Sequence, residues 1–577
     1  MYIGLSGYSH ESSAALVDND GALIDYCREE YLTRIKGDKS FPKKSLRKIL
    51  IDNSLNIEEI KKIAFYERPL SAFLHPLKVA ASEMPKSLPL LSHQFRNFKN
   101  SSIACYLDLS KNFSGLEKKL IYVDHHLSHT LTALPYSSDQ KNICSVVVDG
   151  FGDRSTASIS YLADCFTITE LWSAKYPNSL GLFYSAITDF LGFAINEGEY
   201  KVMGLAAFGS KDTKYKDILK SLIKWDDKKN SFITNLDFFN YHTSPTESYD
   251  KKLIKLLGNP RNPFKKLKTS DANFQNYADI ARAAQEITVE ILCDIFKHAH
   301  KLTSCNKFFF SGGVASNSAS LNTIANLPFV DEIIIPPSPG DAGAAIGAAY
   351  YAFLKSSPNC GTIPRPNLFP SRFDFKKQLK ISKKIISNDF DLITTEKESI
   401  LEKCSELLKS GEIIGTIINN AETGPRSLGN RSLICNGRDK SAVQNLNTVI
   451  KNRSPFRPTA PAMTFKTASK YYDLNLALME SYKSMGATCK CLENSISKGF
   501  PVTHIDGTTR LQIVEENSFI YKLLQNLENY DIDILANSSL NISGDPTCYD
   551  LIDGLMVCSK TPLRFLVTDL GLLQKKI

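Results

Sequence analysis

The sequence predicts an α/β protein with a duplicated N-terminal half and a second α/β domain towards the C-terminus. Residues 1–25 alternate an apolar strand, a turn rich in glycine and hydroxyl groups, a second strand and an Asn-Asp-Gly hairpin signal. Residues 145–171 repeat this order, with an Asp-Gly turn between two apolar strands. Two copies of one layout indicate two similar subdomains in the N-terminal half.

The repeated strand-turn-strand layout is of the kind that cradles phosphate groups, and it suggests a duplicated fold of the actin and sugar-kinase type. Two such halves would face each other across a cleft. His10 lies in the first turn, where its imidazole could reach that cleft. The alternative is a turn histidine that faces solvent.

The composition is that of a globular protein with room for two or more domains. Of the 577 residues, 43% are apolar and 23% are charged. The net charge of +8, from 69 basic and 61 acidic residues, is too small to indicate a nucleic-acid partner. Thirteen cysteines without a C-x-x-C pair favour reduced thiols and a cytoplasmic location. We expect no signal peptide, because the sequence starts with the strand-like MYIGLSG and not with a charged and then an apolar region, and no membrane span, because the longest apolar run, Ala342 to Leu354, is too short.

Residues 121–153 contain the strongest candidate metal site. If HHLSHTLTAL is helical, His125 and His129 project from one face and could bind one metal ion. His126 stands where zinc proteases have glutamate, so a peptidase is not indicated. Asp149 ends the apolar run ICSVVVD, and two imidazoles with a carboxylate suit non-haem iron or another divalent metal. The alternative is that these are core, capping and turn residues.

Two further strands in this half end in turns of chemical interest. KFFFSGGVASN predicts a buried strand followed by Gly312 and Gly313, where a nucleotide base or ribose could approach the backbone, and Asn317 completes this motif. EIIIPPSPGD ends at Asp341 directly before an apolar helix. Helix N-capping is the alternative use of this aspartate.

A proline-rich, irregular stretch at residues 355–395 predicts a domain boundary. We therefore expect a first domain at residues 1–360, a linker at 361–394 and a second domain at 395–577. The helix ESILEKCSELLKSG and the buried strand EIIGTII begin the second domain. Within the first domain, CREEYLTRIKGDKSFP has dense alternating charge, which predicts a solvated helix end and loop.

The second domain contains five cations in turns rich in glycine and proline. Guanidinium groups suit phosphate, and rigid turns hold them in place, so this pattern indicates an anion site. A solvated basic surface is the alternative. The five cations are Arg426, Arg431, Lys451, Arg453 and Arg457.

Together these motifs resemble those of the O-carbamoyltransferases of nodulation and antibiotic biosynthesis, the NodU/CmcH family. The resemblance runs over nearly the whole chain, and many motifs in one order are more specific than any single motif. The stretches that carry it are GYSHESSAALV, EEYLTRIKGDKSFP, VDHHLSHTLTALPYSS, VVVDGFGD, SLGLFYSAITDFLGF, EGEYKVMGLAAFG, SGGVASN, PPSPGDAGAAIGAA, ETGPRSLGNRS, KNRSPFRPTAPAM, HIDGTTRLQIV and NSSLNISGDP.

The resemblance implies two domains with different chemistry. The C-terminal domain, similar to YrdC carbamoyl-adenylate-forming enzymes, would join carbamoyl phosphate to ATP as carbamoyl-adenylate, with Mg²⁺ bound to the ATP. The N-terminal domain, similar to the metal-binding subunit of tRNA threonylcarbamoyladenosine enzymes, would transfer the carbamoyl group to a hydroxyl. The implied site residues are His125, His129, Asp149 and Asp341 for iron(II) or another divalent metal, His10 for carbamoyl transfer, and Arg426, Arg457 and Arg510, with Lys451, Arg453 and Asn537 nearby, for adenylate formation.

The sequence departs from the family pattern at two places. Ser454 stands where the family usually has glutamate, and NSSLN with Asp545 stands where the family has NTSFN with glutamate. The resemblance implies a sugar or a secondary metabolite as the acceptor, and a homodimer is one option for the oligomeric state. A hydrogenase-maturation carbamoyltransferase would add an acylphosphatase segment and zinc fingers that this sequence lacks. tRNA threonylcarbamoylation would favour a stronger basic stripe. The third alternative is a non-catalytic, actin-like nucleotide-binding protein.

Overall fold

The structure is a computed structural model, and it describes residues 1–97, 101–357, 361–372, 374–453, 456–496 and 499–576. The chain divides into two units. Unit 1 consists of Met1–Glu29 and Gly37–Pro366, and unit 2 consists of Glu30–Lys36 and Asn367–Ile577.

Unit 1 contains twelve described strands, and α1 continues from this unit into unit 2. The strands are β1 (Tyr2–Ser6), β2 (Ser13–Val17), β3 (Leu23–Arg28), β4 (Lys62–Phe65), β5 (Leu120–Tyr122), β6 (Ile143–Gly152), β7 (Ser155–Leu162), β8 (Ile168–Lys175), β9 (Ile223–Asp226), β10 (Ser231–Thr234), β11 (Lys307–Ser311) and β12 (Glu332–Ile334). The helices are α1 (Glu29–Thr33), α2 (Lys43–Asp52), α3 (Pro69–Ser82), α4 (Leu88–Arg96), α5 (Cys105–Asn112), α6 (His125–Ala133), α7 (Leu180–Phe190), α8 (Glu199–Ala206), α9 (Lys214–Leu222), α10 (Lys251–Leu257), α11 (Phe274–Thr303), α12 (Ser318–Ala325) and α13 (Asp341–Leu354).

The two main sheets of unit 1 have the same topology. One has the order β3-β2-β1-β4-β5, and the other has the order β8-β7-β6-β11-β12. In each sheet the strand that comes first in the chain, β1 or β6, is central. It pairs antiparallel with the next strand in the chain, β2 or β7, and parallel with the fourth, β4 or β11. The predicted duplication of the N-terminal half is therefore confirmed. β9 and β10 form a separate hairpin.

Small residues in α13 let this helix approach its neighbours closely. A Cβ atom on Gly347 would overlap the carbonyl oxygen of Ser128 in α6, and one on Gly4 of β1 would overlap the backbone of Ala345 in α13. Only glycine therefore fits at these two contacts. The close packing brings Asp341, the first residue of α13, next to the start of α6.

Unit 2 is also α/β, so the predicted fold class is confirmed for both units. Its strands are β13 (Phe390–Thr394), β14 (Ile414–Ile417), β15 (Ser432–Asn436), β16 (Ala460–Met463), β17 (Tyr472–Asp473), β18 (Thr488–Cys491), β19 (Thr508–Arg510), β20 (Gln512–Ile513), β21 (Leu535–Ser539), β22 (Phe565–Thr568) and β23 (Gly571–Lys575). Its further helices are α14 (Phe375–Asp389), α15 (Lys397–Lys409), α16 (Lys440–Asn445), α17 (Phe465–Tyr471), α18 (Met479–Lys483), α19 (Glu493–Ile496), α20 (Phe519–Leu527) and α21 (Leu551–Lys560).

The main sheet of unit 2 has eight strands in the order β13-β23-β22-β14-β15-β21-β16-β20, and β17-β18-β19 form a second, smaller sheet. Apolar side chains of α15 and α20, including Leu408 and Leu524, pack with strand residues such as Ile434 and Val567 in one buried core. The predicted helix and strand at the start of this domain are α15 and β14.

Two segments differ from the sequence expectation. The division between the units at residue 366 lies inside the stretch predicted as a linker, but most of residues 375–394 are regular, because α14 packs on α21 and β13 pairs with β23. Residues 29–31, predicted as a solvated helix end, are buried. Glu29 is buried because its carboxylate accepts hydrogen bonds from the backbone of Lys44 and Ser45 at the start of α2.

Candidate active site

The histidine pair lies on α6, as the spacing predicts. The Asp124 carboxylate caps this helix by accepting a hydrogen bond from the backbone N–H of Leu127. His125 and His129, four residues apart, are fully buried, and their Nε2 atoms are 3.1 Å apart. Gly152 in β6 leaves the space for the His125 ring, because a Cβ atom at residue 152 would overlap that ring.

Asp149 reaches the two histidines from β6. The strand continues to Gly152 instead of ending at Asp149, and its register against β7 shifts between Val148 and Gly152. Asp149 lies within this irregular stretch, and its Oδ2 lies 3.2 Å from His129 Nε2. The same oxygen accepts a hydrogen bond from the backbone N–H of Gly313.

Asp341 completes the group from the start of α13. Its Oδ1 lies 3.3 Å from His129 Nε2 and 3.6 Å from His125 Nε2. Gly340, and not Asp341, occupies the N-cap position of α13, so the N-capping alternative is wrong. One ligand atom from each of the four side chains can be chosen so that all lie within 4.8 Å of one another.

The charges at this site favour a bound cation. Burial raises the pKa of Asp149, but the neighbouring imidazoles outweigh burial and hold it well below its usual value. Burial lowers the pKa of His125, but Asp149 and Asp341 raise it to about 10. Two buried carboxylates therefore create a strong negative potential around the Nε2 atoms. Two imidazoles with two carboxylates are a donor set that fits iron(II) or another divalent metal.

His126 is not part of this group. Its Nδ1 lies 2.8 Å from Ser158 Oγ of β7, away from the carboxylates. Burial and the flanking histidines lower its pKa to about 3, so its imidazole stays neutral.

The turn that carries His10 contacts the same group. His10 Nε2 lies 3.6 Å from Asp341 Oδ2, and the His10 side chain is 32% exposed. Ser9 Oγ donates a hydrogen bond to that carboxylate oxygen and accepts one from the Tyr66 hydroxyl. Tyr8 and Glu11 on either side have positive φ angles of 72° and 55°. His10 thus lies beside Asp341, and its access to the cleft and its role in carbamoyl transfer stay predictions.

Four side chains around this group were missed by the sequence reasoning. Ser9 donates to Asp341 and is itself hydrogen-bonded to Tyr66, and Asp153 accepts hydrogen bonds from the backbone of His125 and Arg68. Glu67 Oε2 lies 3.9 Å from His125 Nδ1, and burial raises the pKa of Glu67 to about 7. Tyr66 and Glu67 directly follow the apolar run KIAF, and a polar residue at such a strand end is the signal that could have found them.

The Gly-Gly turn after β11 packs against β6. Gly312 has φ +88° and stands so close to the Val148 backbone that a side chain would not fit. Asn317 exchanges two hydrogen bonds with the amide of Gln285, which also accepts one from the Tyr184 hydroxyl. The turn thus supports Asp149, and the nucleotide contact predicted for it stays a prediction.

The predicted cations of unit 2 lie together, with the exception of Arg431. Burial lowers the pKa of Arg510 well below its usual value, and Arg426 and Arg457 lie close enough to lower it further. Burial likewise lowers the pKa of Lys451 well below its usual value, and the nearby Arg453 and Arg457 lower it further. A cluster of this kind, here called the cation cluster (Arg426, Lys451, Arg453, Arg457 and Arg510), strongly favours a bound anion.

Arg431 has a supporting position instead. It is fully buried, and its guanidinium donates hydrogen bonds to the backbone carbonyls of Ile418, Asn419, Asn430 and Tyr549. The Glu422 carboxylate accepts three backbone N–H groups from the same loop, those of Leu428, Asn430 and Arg431.

Asn537 of β21 holds this loop from the other side. Its Nδ2 donates to the Ser427 carbonyl, next to Arg426, and to Gln512. Ser454, at which the family pattern is broken, lies outside the described residues.

None of the helices in the described part of the chain combines the length and the apolar composition that crossing a membrane requires.

Comparisons with known proteins identify the family. A model of the carbamoyltransferase N-terminus matches residues 1–350, and one of the carbamoyltransferase C-terminus matches residues 405–575. Nodulation protein NolNO of Sinorhizobium fredii is 26% identical over 99% of this chain and 79% of its own length. The 3'-hydroxymethylcephem-O-carbamoyltransferase of Streptomyces clavuligerus is 23% identical over 79% of this chain and 81% of its own.

Among solved structures, the activator of 2-hydroxyisocaproyl-CoA dehydratase from Clostridium difficile covers 62% of this chain and 96% of its own, with 14% identity and a TM-score of 0.30. The resemblance to the NodU/CmcH family is confirmed by the two family models and the named relatives. The chain belongs to the carbamoyltransferase family.

Proposed function

We propose that this carbamoyltransferase is an ATP-dependent O-carbamoyltransferase that works in two steps. Unit 2 forms carbamoyl-adenylate, and unit 1 transfers the carbamoyl group to a hydroxyl of a sugar or a secondary metabolite. The name of the Streptomyces clavuligerus relative supports a hydroxyl as the acceptor. Each unit thus catalyses one of the two steps.

In unit 2, carbamoyl phosphate, ATP and water are converted to carbamoyl-adenylate, phosphate and pyrophosphate. The cation cluster supports this step, because guanidinium and ammonium groups bind phosphate oxygens and stabilise the negative charge of pyrophosphate as it leaves. Mg²⁺ accompanies the ATP. The exchange of phosphate for AMP gives a mixed anhydride with AMP as the leaving group of the second step.

In unit 1, His10 removes the proton from the acceptor hydroxyl while the hydroxyl oxygen attacks the carbamoyl carbon. The bond between that carbon and the phosphate oxygen of AMP breaks, and AMP leaves. His125, His129, Asp149 and Asp341 would hold a divalent metal, which supplies a Lewis acid for the carbamoyl oxygen. Ser9 keeps the Asp341 carboxylate in place. Gly312, Gly313 and Asn317 are proposed to lie near the ribose or base of the adenylate.

One observation carries this proposal most directly. His10 Nε2, a potential base, stands 3.6 Å from a carboxylate of the buried His-His-Asp-Asp group. A proton acceptor and a metal-binding group are thus adjacent, as transfer to a hydroxyl requires.

Trapping with hydroxylamine tests the proposal without knowledge of the acceptor. The full chain is incubated with ATP, Mg²⁺, ¹⁴C-carbamoyl phosphate and hydroxylamine. Pyrophosphate is measured together with ¹⁴C-hydroxyurea, the carbamoylated form of hydroxylamine. We expect both products, each dependent on ATP and carbamoyl phosphate. Release of pyrophosphate that does not depend on carbamoyl phosphate, or release without a carbamoylated product, would contradict it.

A further inference from the structure

A short N-terminal segment belongs to unit 2, although its sequence neighbours belong to unit 1. The segment is Glu30–Lys36, and Glu29 and Gly37 on either side are part of unit 1. Glu30 and Tyr31 are buried, so this segment is an integral part of unit 2 and not a solvated loop. The sequence 367–577 alone therefore lacks one component of the unit.

Arg34 and Tyr31 attach the segment to residues 546–553. The Tyr31 ring stacks on the Tyr549 ring with centroids 5.3 Å apart. Arg34 donates hydrogen bonds to the carbonyl oxygens of Thr547 and Pro546, at 2.9 and 3.0 Å, and its Nη1 lies 3.0 Å from Asp553 Oδ2. Arg34 has φ +61°, a conformation that costs free energy for a residue other than glycine.

The loop that Arg34 contacts leads directly to the cation cluster. The loop is closed by a hydrogen bond from the Cys548 N–H to the Leu540 carbonyl, and Asn541 Nδ2 donates to the Asp545 carbonyl. The Lys451 ammonium donates in turn to the backbone carbonyl and the side-chain oxygen of Asn541. A continuous set of contacts thus runs from Arg34 through the loop and Asn541 to Lys451.

The contacts of Lys451 make it sensitive to the position of this loop. Lys451 is buried and also donates to the Ser539 carbonyl at 2.6 Å. Its described hydrogen bonds all go to residues 539 and 541, which flank the beginning of the loop. A shift of Asn541 therefore displaces the ammonium group relative to the arginines of the cation cluster.

We propose that Arg34 is a positioning residue for the anion site of unit 2. Its guanidinium fixes residues 546–547, this fixes Asn541, and Asn541 sets the place of Lys451. The ligand class is a phosphate ester or anhydride, and the inference rests on the proposed function of the cation cluster. Adenylate formation thus depends on a residue from the N-terminal part of the sequence.

The test compares full-length Arg34→Gln with Arg47→Gln, a matched control at an exposed arginine of α2. The KM for carbamoyl phosphate and kcat are measured from pyrophosphate release, and the dissociation constant for pyrophosphate is measured by calorimetry. We expect Arg34→Gln to raise both the KM and the dissociation constant by about tenfold or more, because a charged hydrogen-bond donor is lost. The control should leave both unchanged.

A second variant separates positioning from a general loss of stability. Arg34→Gln is combined with Asn541→Ala, and the effects on the KM and on the pyrophosphate affinity are compared with those of the single variants. We expect Arg34→Gln to have little further effect once Asn541 is replaced. Fully additive effects, or a lower melting temperature of Arg34→Gln with unchanged KM and pyrophosphate affinity, would overturn the proposal.

The same measurements distinguish this inference from the proposed function. A wild-type chain without pyrophosphate release that depends on carbamoyl phosphate would contradict the proposed function. The pyrophosphate affinity of the Arg34 variant would still decide whether Arg34 positions the anion site.

Discussion

The replacement Gly152→Ala tests whether the geometry of His125 controls metal binding. Gly152 touches the His125 ring, and a Cβ atom there would lie 2.7 Å from Nε2 and nearer still to two ring carbons. Carbon atoms in contact stay roughly 3.5 Å apart, so the ring or β6 would have to move by about 1 Å. The added methyl group therefore displaces the Nε2 atom while every proposed ligand remains present.

The size of the effect follows from the general free-energy cost of overpacking a buried site. Overpacking a buried site by one methyl group costs about 1–3 kcal/mol. If this cost falls on the position of His125 in the metal-bound state, metal affinity decreases by about 5- to 150-fold. Carbamoyl transfer should decrease in parallel at a limiting metal concentration.

The assay measures metal affinity by competition with a chromophoric chelator and metal content by elemental analysis. Gly204→Ala is the matched control, because no atom lies within 4 Å of a Cβ at Gly204 and alanine favours the helix there. Pyrophosphate release by unit 2 should stay unchanged in both variants. Wild-type metal affinity in a folded Gly152→Ala protein would refute the assignment of His125 as a ligand.

Three further predictions concern the two sites and the loop that supports the second. His129→Ala, or treatment of the wild type with a chelator, should lower metal content and carbamoyl transfer while pyrophosphate release persists, and unchanged metal content would contradict the site. Arg426→Ala should lower pyrophosphate release that depends on carbamoyl phosphate by about 10- to 150-fold for each hydrogen bond lost, because a charged hydrogen bond contributes roughly 1.5–3 kcal/mol; wild-type release would place Arg426 outside the site. Arg431→Met should lower the free energy of unfolding in urea by roughly 3 kcal/mol or more, because several buried carbonyls lose their donor, and a change below 1 kcal/mol would count against this role.

The helical histidine pair and the duplicated sheets could be predicted because local sequence determines them. Four-residue spacing places His125 and His129 on one face once a helix forms, and Asp124 supplies its cap. Strand and turn signals at residues 1–25 and 145–171 produced the two matching sheets. Each of these features depends on residues that are close in sequence.

The environment of the metal group could not be read in the same way. The Ser9 hydroxyl and the Asp341 carboxylate are 332 residues apart in sequence and meet only through the packing of α13. Asp149 lies at a register irregularity within β6, whereas the apolar run suggested that the strand ends there. The sequence Asp-Gly-Phe-Gly at residues 149–152 is typical of a turn that ends a strand, so the continuation of β6 to Gly152 was not predicted.

The charge pattern of residues 27–42 misled for a related reason. Dense alternating charge usually indicates a solvated surface, but here Glu29 accepts backbone hydrogen bonds at the start of α2 and Arg34 donates to carbonyls of the 546–547 turn. Charges satisfied by backbone groups can be buried, and sequence alone does not show those partners. The turn pattern predicted the cation cluster in part: it indicated Arg426, Lys451, Arg453 and Arg457, but it also included Arg431, whereas Arg510 at the end of β19 was implied only by the family resemblance.

The most direct test of the two-step mechanism is a time course of the products formed by a His129→Ala protein and by the wild type. Both are incubated with ATP, Mg²⁺, ¹⁴C-carbamoyl phosphate and a panel of sugars and other hydroxyl-bearing acceptors, and carbamoyl-adenylate, pyrophosphate and ¹⁴C-carbamoylated acceptor are followed in time. The account predicts that the wild type accumulates the carbamoylated product, whereas the variant forms carbamoyl-adenylate and pyrophosphate but transfers little. A variant that loses adenylate formation together with transfer, or one that transfers at the wild-type rate, would contradict the separation of the two steps between the two units.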